Sequence, residues 1–173
     1  GDLFSFVMEV EKLNFSEALR LLAQKAGIQI ETLANKATDG KRQALLDLYK
    51  RTAGLFQYLL FHSDEAKPAL EYLYSRGLDN AWIKKFQLGY APQKRDWLYR
   101  FLSSKSYSDD FLAQSMLFKK KETGLYPYFC ARIIFPIANS MGDVIGFGGR
   151  LCEGSGPKYI NSPESPLFKK REN

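Results

Sequence analysis

The sequence predicts an α+β fold: a small N-terminal helical hairpin, then a helical region, then a small antiparallel β-sheet. Three observations predict it. Apolar residues recur at three- and four-residue steps over the first two thirds of the chain. After Gly124 the texture changes to β-branched and aromatic runs separated by a turn. The strands come after the helices, an α+β order.

Each element has a local reason. Residues 3–13 are dense in Leu, Phe, Val and Met, with Glu9 and Glu11 interspersed, and read as a first helix. A second opens at Ser16 as N-cap, carries Leu19, Leu22 and Ala23 on one face, and stops at Gly27. Residues 31–41 gather Thr, Asn, Asp, Gly and Lys, which reads as a linker with a domain boundary near Lys36. The expected division is therefore 1–36 and 37–173. Apolar spacing from Ala44 to Leu59 gives a scaffold helix over 41–61. The next helix opens at Ser63-Asp64-Glu65, with Pro68 tolerated in its first turn and Gly77 as its stop. Asp79 caps a short helix carrying Trp82, Ile83 and Phe86, and two more are expected over 97–103 and 108–114, the second capped by Ser108. Ile133 to Ile137, the turn Asn139-Ser140-Met141-Gly142, and Val144 to Phe147 make a hairpin, with Tyr159-Ile160 as a short third strand.

Composition bounds the function. With 173 residues, 45% hydrophobic and 25% charged, the chain is one ordinary globular domain or two small ones. No stretch approaches the ~20 apolar residues of a membrane span, so no membrane partner is expected and the cytoplasm is the default location. The cysteines are Cys130 and Cys152 and the one histidine is His62, too few for a four-ligand zinc site or a disulfide framework. A catalytic triad would need His62, which sits in an amphipathic run far in sequence from either cysteine. Asp109 and Asp110 diverge on a helix and make a poor two-metal site. Neither a catalytic residue nor a metal ligand is therefore assigned.

The net charge of +6 is unevenly placed: residues 1–79 carry 10 basic and 11 acidic side chains, residues 80–173 carry 15 and 8. That asymmetry favours a polyanionic partner for the C-terminal half, nucleic acid or an acidic surface. Within that half, Gly146-Phe147-Gly148-Gly149-Arg150 places a planar guanidinium beside glycines that let a backbone or phosphate come close. The same glycines could equally make a bulge or tight strand packing, with Arg150 paired to an acid such as Glu164, and the residues alone leave both readings open. Lys158, Tyr159 and Asn161 combine a cation, an aromatic platform and an amide, a set suited to single-stranded nucleic acid. Lys119-Lys120-Lys121 and Lys169-Lys170-Arg171 could both extend the basic surface, a solvated turn being the commoner meaning of the first.

These residues also carry a family resemblance. Arg132-Ile133-Ile134-Phe135-Pro136-Ile137, Val144-Ile145-Gly146-Phe147-Gly148-Gly149-Arg150 and Lys158-Tyr159-Ile160-Asn161-Ser162-Pro163-Glu164 resemble, in order and spacing, successive motifs of bacterial DnaG-type DNA primases. Tyr72-Leu73-Tyr74-Ser75-Arg76-Gly77-Leu78 and Leu88-Gly89-Tyr90-Ala91-Pro92 resemble the helical part of that family, and Gly1-Asp2-Leu3-Phe4-Ser5-Phe6 the segment after its last zinc cysteine. The resemblance implies that residues 1–36 are the last helices of the zinc-binding domain plus a linker. It implies that 37–173 is the N-terminal part of the RNA polymerase domain, before the toprim fold whose acids hold catalytic Mg²⁺. The small sheet would then bear a basic groove guiding single-stranded DNA template and RNA primer. By position, Arg132, Arg150, Lys158, Tyr159, Asn161 and Lys170, with Lys169 adjacent, match the nucleic-acid-contacting residues. Cys130 stands where many members carry another Arg, so one groove cation is missing or comes from elsewhere. Zn²⁺, Mg²⁺, ribonucleoside triphosphates and a replicative helicase bound through a C-terminal domain are implied for the parent protein, and the region is expected to be monomeric. The alternative is a stand-alone basic module that binds single strands or docks a replication partner without catalysis.

Overall fold

The computed structural model describes the backbone of residues 29–167 and the side chains of residues 39–167. The expected helices over 3–27 and the lysines at 169 and 170 lie outside the described residues.

The scaffold helix α1 spans Gln29–His62, 34 residues and about 50 Å. It starts earlier than the apolar pattern suggests, and residues 31–41, read as a linker, are helical. Once a helix is nucleated, extension costs little per residue, and this stretch contains no proline to stop it. Helices α2 (Lys67–Ser75), α3 (Asn80–Lys85), α4 (Trp97–Ser104) and α5 (Asp109–Gln114) follow. Two caps are made as the sequence predicts: Asp79 accepts from the Trp82 N–H at 2.9 Å and Ser108 from the Phe111 N–H at 3.1 Å.

Four strands form an antiparallel sheet in the order β1 (Gly89–Ala91), β4 (Arg132–Ala138), β5 (Val144–Leu151), β6 (Tyr159–Asn161). The predicted hairpin is β4–β5. Its turn is closed by the Asn139 carboxamide oxygen, which accepts from the N–H groups of Met141 and Asp143 at 3.0 Å each, and by Gly142 at φ +84°. A separate two-stranded ribbon pairs β2 (Phe118–Lys121) with β3 (Gly124–Pro127). The three lysines read as a turn are thus in a strand, side chains exposed, with the turn falling after them.

Two apolar clusters sandwich the sheet. On one face Leu48, Tyr49, Ala53 and Phe56 of α1 meet Ile134 and Phe147, joined by Leu98, Leu102 and Leu112 from α4 and α5. Phe147 is fully buried, with Tyr49 and Phe56 rings at 5.6 and 5.5 Å. The Tyr49 hydroxyl donates to the Ser115 carbonyl at 2.5 Å, tying α1 to the end of α5. On the other face Leu60, Ala69, Leu73, Ile83 and Tyr90 close over Ile133, so α2 and α3 cover the β1 side. That cover stops partway across the sheet.

Candidate nucleic-acid interface

Antiparallel register decides which side chains share a face. Ile133, Arg150 and Tyr159 lie opposite one another across β4, β5 and β6; Phe135, Gly148 and Asn161 form the next such row. Both rows belong to the face that α2 and α3 cover only in part. Beyond that cover lies an open cleft of about 450 Å³, walled by Phe135, Ile137, Tyr159 and Asn161 with Gly148 in its floor. Three residues picked out from the sequence, Arg150, Tyr159 and Asn161, therefore converge on one surface. Tyr159 is 62% exposed, and the adjacent Lys158 holds its ammonium 5.8 Å from the Tyr159 ring centroid.

The neighbouring glycines do different work. A Cβ on Gly149 would come within 2.7 Å of the Phe129 ring and 3.0 Å of Arg132 Cδ, so this residue is required by packing on the α1 side. A Cβ on Gly148 would meet the Asn161 carboxamide oxygen at 3.2 Å and the Ile160 and Phe135 carbonyls in ordinary contact at 3.9 Å. Of the two readings left open by the sequence, tight packing describes Gly149 and an accessible floor describes Gly148.

Arg150, two positions from Gly148 on the same face of β5, has its guanidinium carbon 4.1 Å from the centroid of the Tyr72 ring on α2. Its Nη1 reaches the Leu151 carbonyl at 3.4 Å and its Nε has no acceptor. Among the described residues it has no carboxylate partner within 4.0 Å. Tyr72 was visible beforehand only as part of a motif; the available signal was an aromatic residue four positions before Arg76 on a helix.

Arg132 departs from the expectation. It is 6% exposed, and its Nη1 donates to the carbonyls of Gly149 and Lys158 at 3.2 and 3.3 Å while Nη2 donates to that of Pro157 at 2.8 Å. Burial pulls this guanidinium below its ordinary pKa, opposed by the nearby thiols of Cys130 and Cys152. Register explains its inward turn, because Arg132 pairs with Leu151, one position off the row that carries Arg150. The residue staples the β5–β6 loop from beneath. A second staple, not foreseen, is Ser162: its buried hydroxyl accepts from the Phe147 N–H at 2.6 Å and donates to the Phe147 carbonyl at 2.9 Å, fixing the strand end beside Asn161.

Cys130 is half-buried and its thiol is pushed up by burial, against the lowering influence of Arg95, Lys119 and Arg132. Among the described residues no three His, Cys, Asp or Glu side chains come together as a metal site. Nor is any described helix long and apolar enough to cross a membrane.

Comparison with known proteins decides the lineage. Residues 55–173 match the family model described as DNA primase catalytic core, N-terminal domain. The chain belongs to the DnaG-type bacterial DNA primase family. The DNA primase of Deinococcus radiodurans is 42% identical over 174 residues, covering 99% of this chain and 29% of that protein, so the chain spans under a third of that relative's length. Among solved primases, the RNA polymerase domain of the Mycobacterium tuberculosis DnaG in complex with double-stranded DNA matches with a TM-score of 0.70 at 35% identity, over 74% of this chain and 41% of that one. A DnaG primase catalytic domain bound to ssDNA matches with a TM-score of 0.69 at 32% identity, over 76% of this chain and 42% of that one. The mixed helical and antiparallel architecture is thus that of primase RNA polymerase domains.

Proposed function

We propose that this chain is the part of a DNA primase that holds single-stranded template, and the primer made on it, on the open face of the β4–β5–β6 sheet. The observation that carries this reading is the convergence of Arg150, Tyr159 and Asn161 on that face while the opposite face is sealed by α1. Phosphates pair with Arg150 and Lys158, a base stacks on Tyr159, and Asn161 offers both donor and acceptor to a base edge or sugar. Gly148 leaves the floor low enough for a strand to approach the backbone. Lys169 and Lys170 lie outside the described residues, and their contact with the same strand is inferred from the family resemblance alone. Arg132 serves it from below by shaping the loop that presents Lys158. The homology to DNA primases and the DNA-bound primase structures support the assignment.

In this reading the parent protein polymerises ribonucleotides on template in the cytoplasm. In the same reading we infer, from likeness to DNA primases alone, a domain division near residue 36, which falls within the continuous α1, together with Zn²⁺, Mg²⁺, ribonucleoside triphosphates and a helicase contact for the parent protein. The part of this chain is binding and orientation.

The test is fluorescence anisotropy of a short labelled single strand titrated with this chain at two salt concentrations, beside an Arg150→Ala, Lys158→Ala variant. The expected affinity is about 10⁻⁴ to 10⁻⁶ M, with a log-log salt slope of about 2 to 3 for three or four neutralised phosphates. The variant should lose most binding and show a slope lower by about 1.4. Unchanged binding in a folded variant would overturn the reading.

A further inference from the structure

The geometry points to a second nucleic-acid contact on the β2–β3 ribbon, where Lys119 and Lys121, each held over a tyrosine ring, bind successive phosphates of one strand. The inference takes its ligand from the template-binding reading and none of its residues. Lys119 faces Tyr126 and Lys121 faces Gly124 across the ribbon. The Tyr128 N–H donates to the Leu117 carbonyl at 2.9 Å, which continues the ladder one rung beyond β3. Alternation therefore puts Lys119, Lys121 and Tyr126 on one face, with Tyr128 next along it. Each lysine crosses to the tyrosine two positions beyond its partner: Lys119 Nζ lies 5.0 Å from the Tyr128 ring centroid and Lys121 Nζ 5.2 Å from that of Tyr126. The rings are held without the lysines, since the Tyr126 and Thr123 hydroxyls share a hydrogen bond and Tyr128 meets Phe129 edge-on at 5.2 Å. On the reverse face Phe118 and Pro127 are buried, and the Phe118 ring lies 6.5 Å from that of Tyr99 on α4, so the ribbon is anchored to the core.

The same diagonal made twice fixes two ammonium groups that would otherwise swing in solvent. They sit two residues apart on one strand, about 7 Å, which suits neighbouring phosphates of an extended chain. All three lysines of β2 are exposed, and among the described residues none has a carboxylate within 4.0 Å. A ring occupies one side of an ammonium and leaves its other N–H donors free, whereas a carboxylate would neutralise it. Holding the side chains in place beforehand also lowers the ordering cost of binding. Lysines on an exposed strand discourage pairing with another chain, but that role needs charge alone and no ring beneath each ammonium. A further cation stands near the Lys119 end. The Ala131 N–H donates to the Pro92 carbonyl at 3.3 Å, which ties the loop carrying exposed Arg95 to the end of the ribbon, and the charges of Arg95 and Lys119 both bear on the Cys130 thiol. The ribbon joins the sheet through residues 128–131, at the end of β4 nearest the row of Ile133, Arg150 and Tyr159. A strand leaving that row has this basic surface at the same end of the sheet.

The experiment is an anisotropy titration of a labelled single strand of about 16 nucleotides with the parent chain, Lys119→Ala, Lys121→Ala, their double variant and Lys120→Ala, each checked for cooperative melting. Lys120 lies between the two on the other face of the strand, so its removal changes the charge equally and serves as the control. The double variant should bind about tenfold more weakly at the lower salt, with a log-log slope reduced by about 1.4, and each single variant should lose about half of that slope. Lys120→Ala should bind within about twofold of the parent with its slope unchanged. Limited acetylation read by mass spectrometry should show Lys119 and Lys121 protected several-fold by the strand, and Lys120 much less. A double variant that binds like the parent, or a Lys120→Ala loss equal to that of Lys119→Ala, would overturn the inference and leave the sheet-face reading intact. Binding that depends on the ribbon but is unmoved by Arg150→Ala, Lys158→Ala would remove the sheet-face reading and keep the ribbon. A poly-glutamate chain that binds more tightly than the strand through the same two lysines would overturn nucleic acid as the occupant.

Discussion

Gly148 and Gly149 are consecutive in β5 and point to opposite sides of one sheet, and the two sides are built on different terms. On the Gly149 side every approach is occupied: Phe129, Phe147 and the α1 residues Tyr49 and Phe56 form a continuous aromatic layer. On the Gly148 side the cover supplied by α2 and α3 takes in Ile133 and reaches Phe135, and beyond it the face opens. The uncovered half is what the fold can spare for a ligand.

Substitutions that fill space should break the sealed side first. The largest effect is expected at Gly89, where β1 lies so close to α1 that a Cβ would sit 2.5 Å from Phe56 Cβ and 2.7 Å from its carbonyl carbon. Gly89→Ala should cost about 3 kcal/mol or more in denaturant unfolding, because backbone cannot step aside as a side chain can. Gly149→Ala should cost about 2 kcal/mol and Gly148→Ala under about 0.5 kcal/mol, a difference between neighbours that measures the two faces directly. Equal costs at 148 and 149 would erase the distinction.

Removal of a polar group should sharpen the contrast. Arg132→Met should cost about 2 kcal/mol, since three carbonyls lose a charged donor, and lysine should not restore it without the planar fork. Tyr159→Ala, on the open face, should change stability by under about 0.5 kcal/mol while weakening single-strand binding about fivefold or more.

The smallest effect expected is a pH dependence. Burial raises the thiols of Cys130 and Cys152 above their ordinary value of 9.0, and burial together with Glu65 raises the Tyr90 hydroxyl. An acid whose pKa is higher in the folded state keeps its proton longer there. Stability is therefore level below the ordinary thiol pKa and declines as pH rises through it toward the folded value. Urea midpoints at about pH 8 and pH 10 check the sign, and Cys152→Ala should reduce the decline.

How much of this was legible depended on whether the cause was local. The helices after His62 and the β4–β5 hairpin announce themselves through periodicity, caps and turn residues, all within a few positions of one another. The three residues of β1 were not readable as a strand, because a run that short shows no alternation and its partner lies more than forty residues away in β4. The β2–β3 ribbon was hidden by its lysines, which occupy an exposed strand where hydrophobic pattern gives no signal. Arg150, Tyr159 and Asn161 were singled out by side-chain chemistry, and register puts them on one face. Arg132 carries the same chemistry, but its role is set by register and by carbonyl groups that every residue possesses.

That last point bears on how the loop between β5 and β6 can vary. The acceptors that Arg132 uses there belong to Pro157 and Lys158 and are indifferent to which side chains the loop carries. Glu153 and Ser155 are exposed, and their identities can drift. A single residue inserted or removed between Cys152 and Pro157 is another matter, for it shifts those carbonyls off the guanidinium and strands a cation in the interior. The segment is constrained in length and, outside Gly154 at φ +94° and Gly156 at φ +133°, little constrained in spelling.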